Sequence, residues 1–187
     1  MPQNKKEQFI FALITVIITV NAFVLYNLYF VNGALFREMT GELNVLYAIN
    51  KLGGVYMIGG FKPIWAVILI EFAFAICLEM FMGQPSSLKL TLKLFDPKKT
   101  HPVLFETSVI CATVGLMCPA MSFCAAWLYY PYYEGFNLIT LLLNWFELVI
   151  FNFPFAFFMQ LFFIQPLVRN IFKHTVVKAR EKKLERA

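Results

Sequence analysis

The stretch that decides the fold is residues 64–85, which read IWAVILIEFAFAICLEMFMGQP. Its only charged residues are Glu71 and Glu79, and almost all of the remaining positions up to residue 83 are apolar. A helix needs roughly 20 predominantly apolar residues to cross the hydrocarbon core of a bilayer. We therefore predict a transmembrane helix over residues 64–83, followed by a Gln-Pro exit.

Three further stretches have the same length and apolar character, and they cover about residues 9–31, 103–128 and 145–164. The 187 residues are 60% hydrophobic and only 14% charged. Soluble domains usually contain about 25% charged residues. A soluble core of this size could not bury so many helices that are apolar on every side. The sequence thus predicts an all-α, multi-pass integral membrane bundle of four transmembrane helices.

The fourth predicted helix is similar in sequence to the second. When their Gln-Pro exits are aligned, these positions coincide: Phe72 with Phe153, Phe74 with Phe155, Ala75 with Ala156, Phe81 with Phe162, Glu71 with Asn152, and Glu79 with Gln160. Composition alone supplies the apolar matches, but it does not readily supply the polar ones. We therefore predict two tandem helical hairpins, residues 1–95 and 96–187, forming a parallel internal repeat about an axis along the membrane normal.

The connection inside the first hairpin is longer than the connection inside the second. The first and third helices also align, more weakly, with Ala22 on Ala120. The additional residues lie between positions 32 and 62, and residues 43–52 alternate between apolar and polar side chains. Such a segment is typical of a short amphipathic helix on the membrane surface, which we expect on the outer side.

The distribution of basic residues predicts the orientation of the helices. Of the 16 Lys and Arg residues, all but Arg37, Lys51 and Lys62 lie in the N-terminal tail, the connection between the second and third helices, or the basic C-terminal tail. By the positive-inside rule both termini lie in the cytoplasm, and we expect the protein in the cell membrane. We attribute the net charge of +5 to topology and to contact with the lipid bilayer, and not to nucleic-acid binding. The sequence leaves open whether the protein forms a homodimer.

Two short motifs in the second half resemble a known family. The fourth helix ends in QPLVRNIFK, residues 165–173, and the third contains PAMSF, residues 119–123. The Pro-Leu-Val-Arg exit and the Met-Ser element look like the bacterial membrane family filed as domain of unknown function 2798 (DUF2798). The first half is similar to it only through the internal repeat, which implies two tandem copies, and there Pro85-Ser86-Ser87 replaces Pro-Leu-Val. The resemblance implies a two-helix unit and no activity, substrate or cofactor.

Five polar residues inside the predicted spans form the candidate site: Glu71, Asn152, Glu79, Gln160 and Asn21. Glu71 lies about 10 Å into its helix from the outer end, at ~1.5 Å per residue. An ionisable side chain at that depth is expected to face the bundle interior or a water-filled cavity. It could bind a cation or relay protons, or it could hydrogen-bond across helices to Asn152 or Asn21. Glu79 lies nearer the cytoplasm and could reach the interface.

Other residues in the spans have simpler interpretations. Pro119 and Pro154 predict kinked helices. An interfacial aromatic belt is predicted from Trp127, Tyr129, Tyr130, Tyr132 and Tyr133. The cysteines lack C-x-x-C spacing, and we expect them to pack as small apolar side chains: Cys77, Cys111, Cys118 and Cys124.

No pattern typical of an active site, a metal centre or a cofactor site is found in the sequence. A nucleotide-binding loop, an H-E-x-x-H pair and a G-x-S-x-G elbow are all absent. We therefore predict a non-enzymatic bundle without a cofactor or a metal. The alternative is a small transporter or channel for a cation or small solute that uses Glu71 and Asn152.

Overall fold

The computed structural model describes residues 4–178. In that part of the chain four helices are long and apolar enough to cross a membrane, by length and composition: Lys6–Val31, Ile64–Leu94, Pro102–Leu128 and Leu138–Val176, here called the first to fourth helices. The predicted all-α bundle of four transmembrane helices is therefore confirmed. Part of the predicted basic C-terminal tail lies outside the described residues, namely Arg180, Lys182, Lys183 and Arg186.

The second and fourth helices continue past the ends predicted at residues 83 and 164. α4 (Ile64–Leu78) passes through a π-helical turn (Glu79–Gly83) into α5 (Gln84–Leu94). α7 (Leu138–Met159) passes through a similar turn (Gln160–Ile164) into α8 (Gln165–Phe172), which ends in another π turn (Lys173–Val177). Pro85 and Pro166 lie in the first turn of α5 and α8, where the missing N–H is tolerated. The Gln-Pro pairs therefore follow π turns and do not end the helices.

The π turns in the second and fourth helices begin at the residues that the internal alignment pairs. Glu79 opens one turn and Gln160 opens the other, and a Gln-Pro pair starts the α-helix that follows each. Matching backbone irregularities at matched positions support the repeat. The superposition of residues 1–95 on 100–175 as similar hairpins stays a prediction.

The first and third helices differ in how they end. The first consists of α1 (Lys5–Tyr26) and a π turn (Asn27–Val31), in which the Asn32 N–H donates to the Asn27 carbonyl oxygen at 2.8 Å. The third is a single α-helix, α6 (Pro102–Leu128), although it contains Pro119. It is followed by a short 3-10 turn (Tyr132–Glu134) before α7.

The four helices form a bundle in which the first and the third each contact both the second and the fourth. The inner face of α1 is marked by Val16, Val20 and Val24, which recur every four residues and are nearly inaccessible. Large apolar side chains cover the outer faces of the second and fourth helices, including Trp65, Leu69, Phe81, Phe146, Phe158 and Phe163. Such outer faces match a hydrocarbon solvent, because lipid tails are as apolar as the side chains.

The bundle has two distinct ends. At the terminal end, the start of the first helix meets the close of the fourth, and the rings of Phe11 and Phe172 pack edge to face with centroids 5.5 Å apart. The connection between α5 and α6 lies at the same end, because those helices pack together. At the opposite cap end, the long connection of the first hairpin folds over the bundle.

The cap consists of two short helices and a β-hairpin. These are α2 (Gly33–Thr40), α3 (Val45–Lys51), β1 (Val55–Met57) and β2 (Gly60–Lys62), with β1 and β2 antiparallel. α3 corresponds to the short amphipathic helix that the sequence predicted. Its buried Val45 and Ile49 pack with Met57 of the hairpin in the main hydrophobic core. The hairpin itself was not predicted.

Two backbone positions determine the shape of the cap. Gly54 has φ +130°, and a Cβ atom there would lie 2.1 Å from the Lys62 carbonyl oxygen, so only glycine fits. Ile58, in the hairpin turn, has φ +50°, which is strained for a β-branched residue. The Ile58 N–H donates to the Leu128 carbonyl oxygen at 2.8 Å. This bond fastens the hairpin turn to the end of the third helix.

Candidate functional site

Glu71 is hydrogen-bonded to the residue that follows the third helix. The Tyr129 hydroxyl donates to Glu71 Oε1 at 2.5 Å, and both side chains are half-buried. α4 carries Glu71 about two turns from its start, and Tyr129 packs against the main core at the cap end. The neighbouring Leu128 accepts the bond from Ile58, so the pair lies beside the cap. From the sequence we placed Tyr129 in the aromatic belt and did not predict its bond to Glu71. The signal was available, because Glu71 near the start of one helix and Tyr129 at the end of the next lie at the same end of two antiparallel helices.

The two asparagines expected as partners of Glu71 have other surroundings. Asn152, on α7, is only 5% exposed, and within residues 4–178 its Oδ1 atom has no hydrogen-bond partner. Asn21 is exposed, and its Nδ2 donates to the Ile17 carbonyl oxygen of its own helix at 2.8 Å. Neither forms a hydrogen bond with Glu71 in the described part of the chain.

Glu79 occupies the π turn of the second helix and folds back over Gly83. A Cβ atom at position 83 would lie 2.5 Å from Glu79 Oε2 and 3.0 Å from Met117 Sδ of the third helix. Glycine at this position therefore makes room for the carboxylate between the two helices. Glu79 also borders a cavity of about 10 Å³ against the first helix, which is barely the volume of one water molecule.

Gln160, which aligns with Glu79, connects the fourth helix to the first. Its Nε2 donates to Thr19 Oγ1 at 2.9 Å, and its Oε1 accepts from Gln165 Nε2 at 3.4 Å. Both the nitrogen and the oxygen of the Gln160 amide are therefore hydrogen-bonded. The two aligned residues therefore make different contacts. Glu79 packs over Gly83 of its own helix, whereas Gln160 forms a hydrogen bond between helices.

Both transmembrane prolines lie beside a donor from another helix. Trp145 Nε1 of α7 donates to the Pro119 carbonyl oxygen at 2.8 Å. The Tyr26 hydroxyl of α1 donates to the carbonyl oxygen of Phe151 at 3.1 Å, three residues before Pro154. Proline is tolerated in a membrane helix when neighbours satisfy the backbone near it.

An ion pair joins the third and fourth helices at the terminal end. Arg169 Nη1 donates to Glu106 Oε2, and both side chains are partly exposed. The sequence analysis gave Glu106 no role. Two signals could have found the pair: Arg169 belongs to the Pro-Leu-Val-Arg motif, and Glu106 lies near the start of the helix packed against it.

A groove of about 310 Å³ lies between α5 and the first half of α6. Its lining is mainly apolar, with three hydroxyl groups among the lining residues: Leu90, Thr91, Leu94, Phe95, Leu104, Thr107, Ser108, Cys111 and Ala112. No three His, Cys, Asp or Glu side chains converge as a metal site anywhere in residues 4–178. The four cysteines are free thiols, of which only Cys118 is buried.

Comparison with known proteins gives one match. Residues 98–176 match the sequence model of a family described as a domain of unknown function, DUF2798. The matched range holds the whole of the third and fourth helices, and it includes the QPLVRNIFK and PAMSF motifs. The predicted resemblance is confirmed for this half, and a second copy in residues 1–95 stays a prediction. No curated protein and no solved structure matches the chain.

Proposed function

We propose that the protein, whose residues 98–176 match the DUF2798 family model, is a non-enzymatic, multi-pass protein of the cell membrane whose intramembrane polar side chains hold its helices together. The bundle provides a rigid apolar body that lipid surrounds. Its partner is the lipid bilayer, and neither nucleic acid nor a cofactor has a role in this proposal. Association into a homodimer is compatible with it and is not needed.

The observation that carries the proposal is the dispersal of the polar contacts. They are spread over three pairs of helices at several depths: Glu71 with Tyr129 between the second and third, Gln160 with Thr19 and Tyr26 with the Phe151 carbonyl between the first and fourth, and Arg169 with Glu106 and Trp145 with the Pro119 carbonyl between the third and fourth. A transport site would bring such groups together around one cavity near the middle of the membrane. Dispersed contacts instead support a role in packing.

The proposed orientation places the terminal end in the cytoplasm. Nine of the twelve basic residues in the described part of the chain lie at this end: on the start of the first helix, on α5 and its connection to α6, and at the end of the fourth helix. Basic residues next to membrane helices are retained on the cytoplasmic side. The cap, with Glu42 paired to Lys51 at 3.1 Å, then lies on the outer side.

A second candidate function is transport of a cation or small solute, and one observation favours it. Asn152 is buried with an Oδ1 atom that has no hydrogen-bond partner within the described residues. Unpaired polar groups inside a membrane bundle are costly, and they often mark ion pathways. Glu71 and Asn152 would be the transporting pair.

Flux through reconstituted liposomes separates the two candidates. The purified protein is incorporated into vesicles with a potassium gradient and an internal pH-sensitive dye. For a packing role we expect wild-type vesicles to leak no faster than empty ones, while gramicidin verifies that flux is detectable. Flux above that of empty vesicles, abolished in Glu71→Gln, would establish transport and overturn the proposal.

A further inference from the structure

The groove between α5 and α6 lies at the boundary of the membrane. The second helix contains 31 residues, so it is about 46 Å long at ~1.5 Å per residue and exceeds a hydrocarbon core of about 30 Å. α5 forms its last part. Leu88 and Leu92 of α5 are about half exposed, whereas Ser87 and Thr91 are only 1% exposed and face the third helix. A helix whose leucines face outward and whose hydroxyl groups face the bundle can lie against lipid.

Thr91 is a buried donor without a partner. It lines the groove, and its Oγ1 atom has no hydrogen-bond partner within residues 4–178. Thr107 and Ser108 line the groove opposite it, on α6. A buried hydroxyl is nearly always bonded in a folded protein, so an unpaired one in a groove wall indicates a ligand with an acceptor atom.

The end of the groove beside the connection between α5 and α6 is positively charged. The connection beyond Phe95 carries Lys98, Lys99 and His101, all exposed. Its one carboxylate, Asp96, is engaged with the Lys98 backbone N–H at 2.9 Å. α6 begins directly after His101 without a side-chain cap, so its first N–H groups point to the same place. A helix start beside two lysines is suited to phosphate.

We propose that this groove binds one anionic phospholipid, with its phosphate at Lys98, Lys99 and the start of α6, and one acyl chain along the groove. The inference rests on the proposed membrane setting of the bundle. The order of groups fits a lipid from the surface inward. Basic residues come first, the hydroxyls of Thr91 and Thr107 lie at the depth of the ester carbonyls, and Cys111 and Ala112 flank the chain. Basic pockets between membrane helices are known binding sites for anionic lipid headgroups.

The test uses the full-length protein, delipidated in detergent. Its thermal unfolding is measured during titration with phosphatidylglycerol or with phosphatidylcholine of the same chains, and bound lipids are counted by native mass spectrometry. We expect one lipid to bind, with phosphatidylglycerol preferred. In Lys98→Gln/Lys99→Gln the apparent affinity for phosphatidylglycerol should fall roughly 25-fold, because each lysine near an anionic surface contributes about a factor of five.

A matched control exists on α5 itself. Lys89 and Lys93 are each two residues from Thr91, so they lie on the far side of the helix, and both are exposed. Lys89→Gln/Lys93→Gln removes the same charge and should leave the affinity unchanged. Ala112→Phe, which fills the groove, should weaken binding of both lipids.

Several outcomes would overturn the proposal. Equal affinity for the two lipids, equal losses in the two lysine pairs, or unchanged binding in a folded Ala112→Phe variant would each show that no specific site exists here. None of these outcomes would affect the packing role, because unfolding without added lipid and vesicle flux are measured separately. Flux through the vesicles would overturn the packing role and leave the lipid site standing.

Discussion

The hydrogen bond between Tyr129 and Glu71 shows how much a single polar contact can contribute to the stability of this bundle. The hydroxyl of one helix end meets the carboxyl of the neighbouring helix at 2.5 Å, beside the main apolar core. Interhelical hydrogen bonds in membrane proteins contribute only about 0.6 kcal/mol on average, because unfolded helices in the membrane also find partners. The free-energy difference is small, but it can be measured by comparing variants that remove one partner at a time.

The first prediction concerns this pair. Tyr129→Phe removes the donor and should lower the free energy of unfolding in detergent by about 1 kcal/mol. Glu71→Gln keeps an acceptor for Tyr129 and should cost less than Glu71→Leu, which leaves the hydroxyl unpaired. The double variant Tyr129→Phe/Glu71→Leu removes both the hydroxyl and the carboxyl, so no polar group is left without its partner. Its loss should therefore be smaller than the sum of the single losses, and strictly additive losses would show that the bond contributes nothing.

The second prediction concerns the ion pair at the terminal end. Arg169→Gln leaves Glu106 unpaired and should lower the free energy of unfolding by about 1 kcal/mol, since the pair is only partly exposed. The exchanged variant Glu106→Arg/Arg169→Glu should recover part of the loss. Lys51→Gln is the matched control, because it breaks the more exposed pair with Glu42 and should cost less. Equal losses at the two sites would contradict a special role for Arg169.

At the scale of elements, the cap is held by one backbone hydrogen bond to the third helix and by apolar packing on the main core. The hairpin turn is fastened to the third helix by one bond, from the Ile58 N–H to the Leu128 carbonyl oxygen. To form it, Ile58 adopts a left-handed conformation that β-branched residues avoid. The main core continues from the helices into the cap through Val45, Ile49 and Met57, and this packing compensates for the strain.

The third prediction relieves that strain. Ile58→Asn introduces a residue that tolerates the left-handed region and should raise the free energy of unfolding by about 1 kcal/mol. The Ile58 side chain is 53% exposed, so its removal leaves no large cavity. Ile58→Val keeps the β-branch and the strain, and should be neutral. If unfolding experiments rank the Asn variant no higher than the Val variant, the turn is not strained in the way described.

At the scale of the whole molecule, the two ends of the bundle differ in charge and in structure. The terminal end is basic, whereas the cap end is folded from a single long connection and holds the few remaining basic residues. This asymmetry is the basis of the proposed orientation. It also means that the two predicted hairpins cannot be interchangeable, since only the first carries a cap.

The fourth prediction tests the orientation with reporter fusions. Green fluorescent protein should fluoresce when fused to either terminus. Alkaline phosphatase, which folds only outside the cytoplasm, should be active when inserted at Gly135, in the connection between α6 and α7. An inactive phosphatase fusion at the C-terminus is the matched control. Phosphatase activity at either terminus would reverse the proposed topology.

Much of the fold follows from the sequence, because run length and hydropathy determine where a helix can cross a bilayer. The continuation into α5 could not be predicted, since Gln84-Pro85 is typical of a helix end and the π turn before it leaves no hydropathy signal. The hairpin was missed because its strands are three residues long. The candidate polar residues were identified by type and depth. Their partners depended on rotation about each helix axis, which a helix apolar on all sides does not reveal.

The π turns have a consequence for how this chain can change in length. Each is a helical turn with one residue more than an α-helical turn, so it stores a surplus residue at a defined place: Asn27–Val31, Glu79–Gly83 and Gln160–Ile164 in the transmembrane helices. Losing one residue there restores a regular helix and leaves every later side chain on its present face. Losing one residue elsewhere in α4 turns all that follows by about 100° and moves Ser87 and Thr91 toward lipid. Evolution can therefore shorten these helices at three places without reorienting their faces.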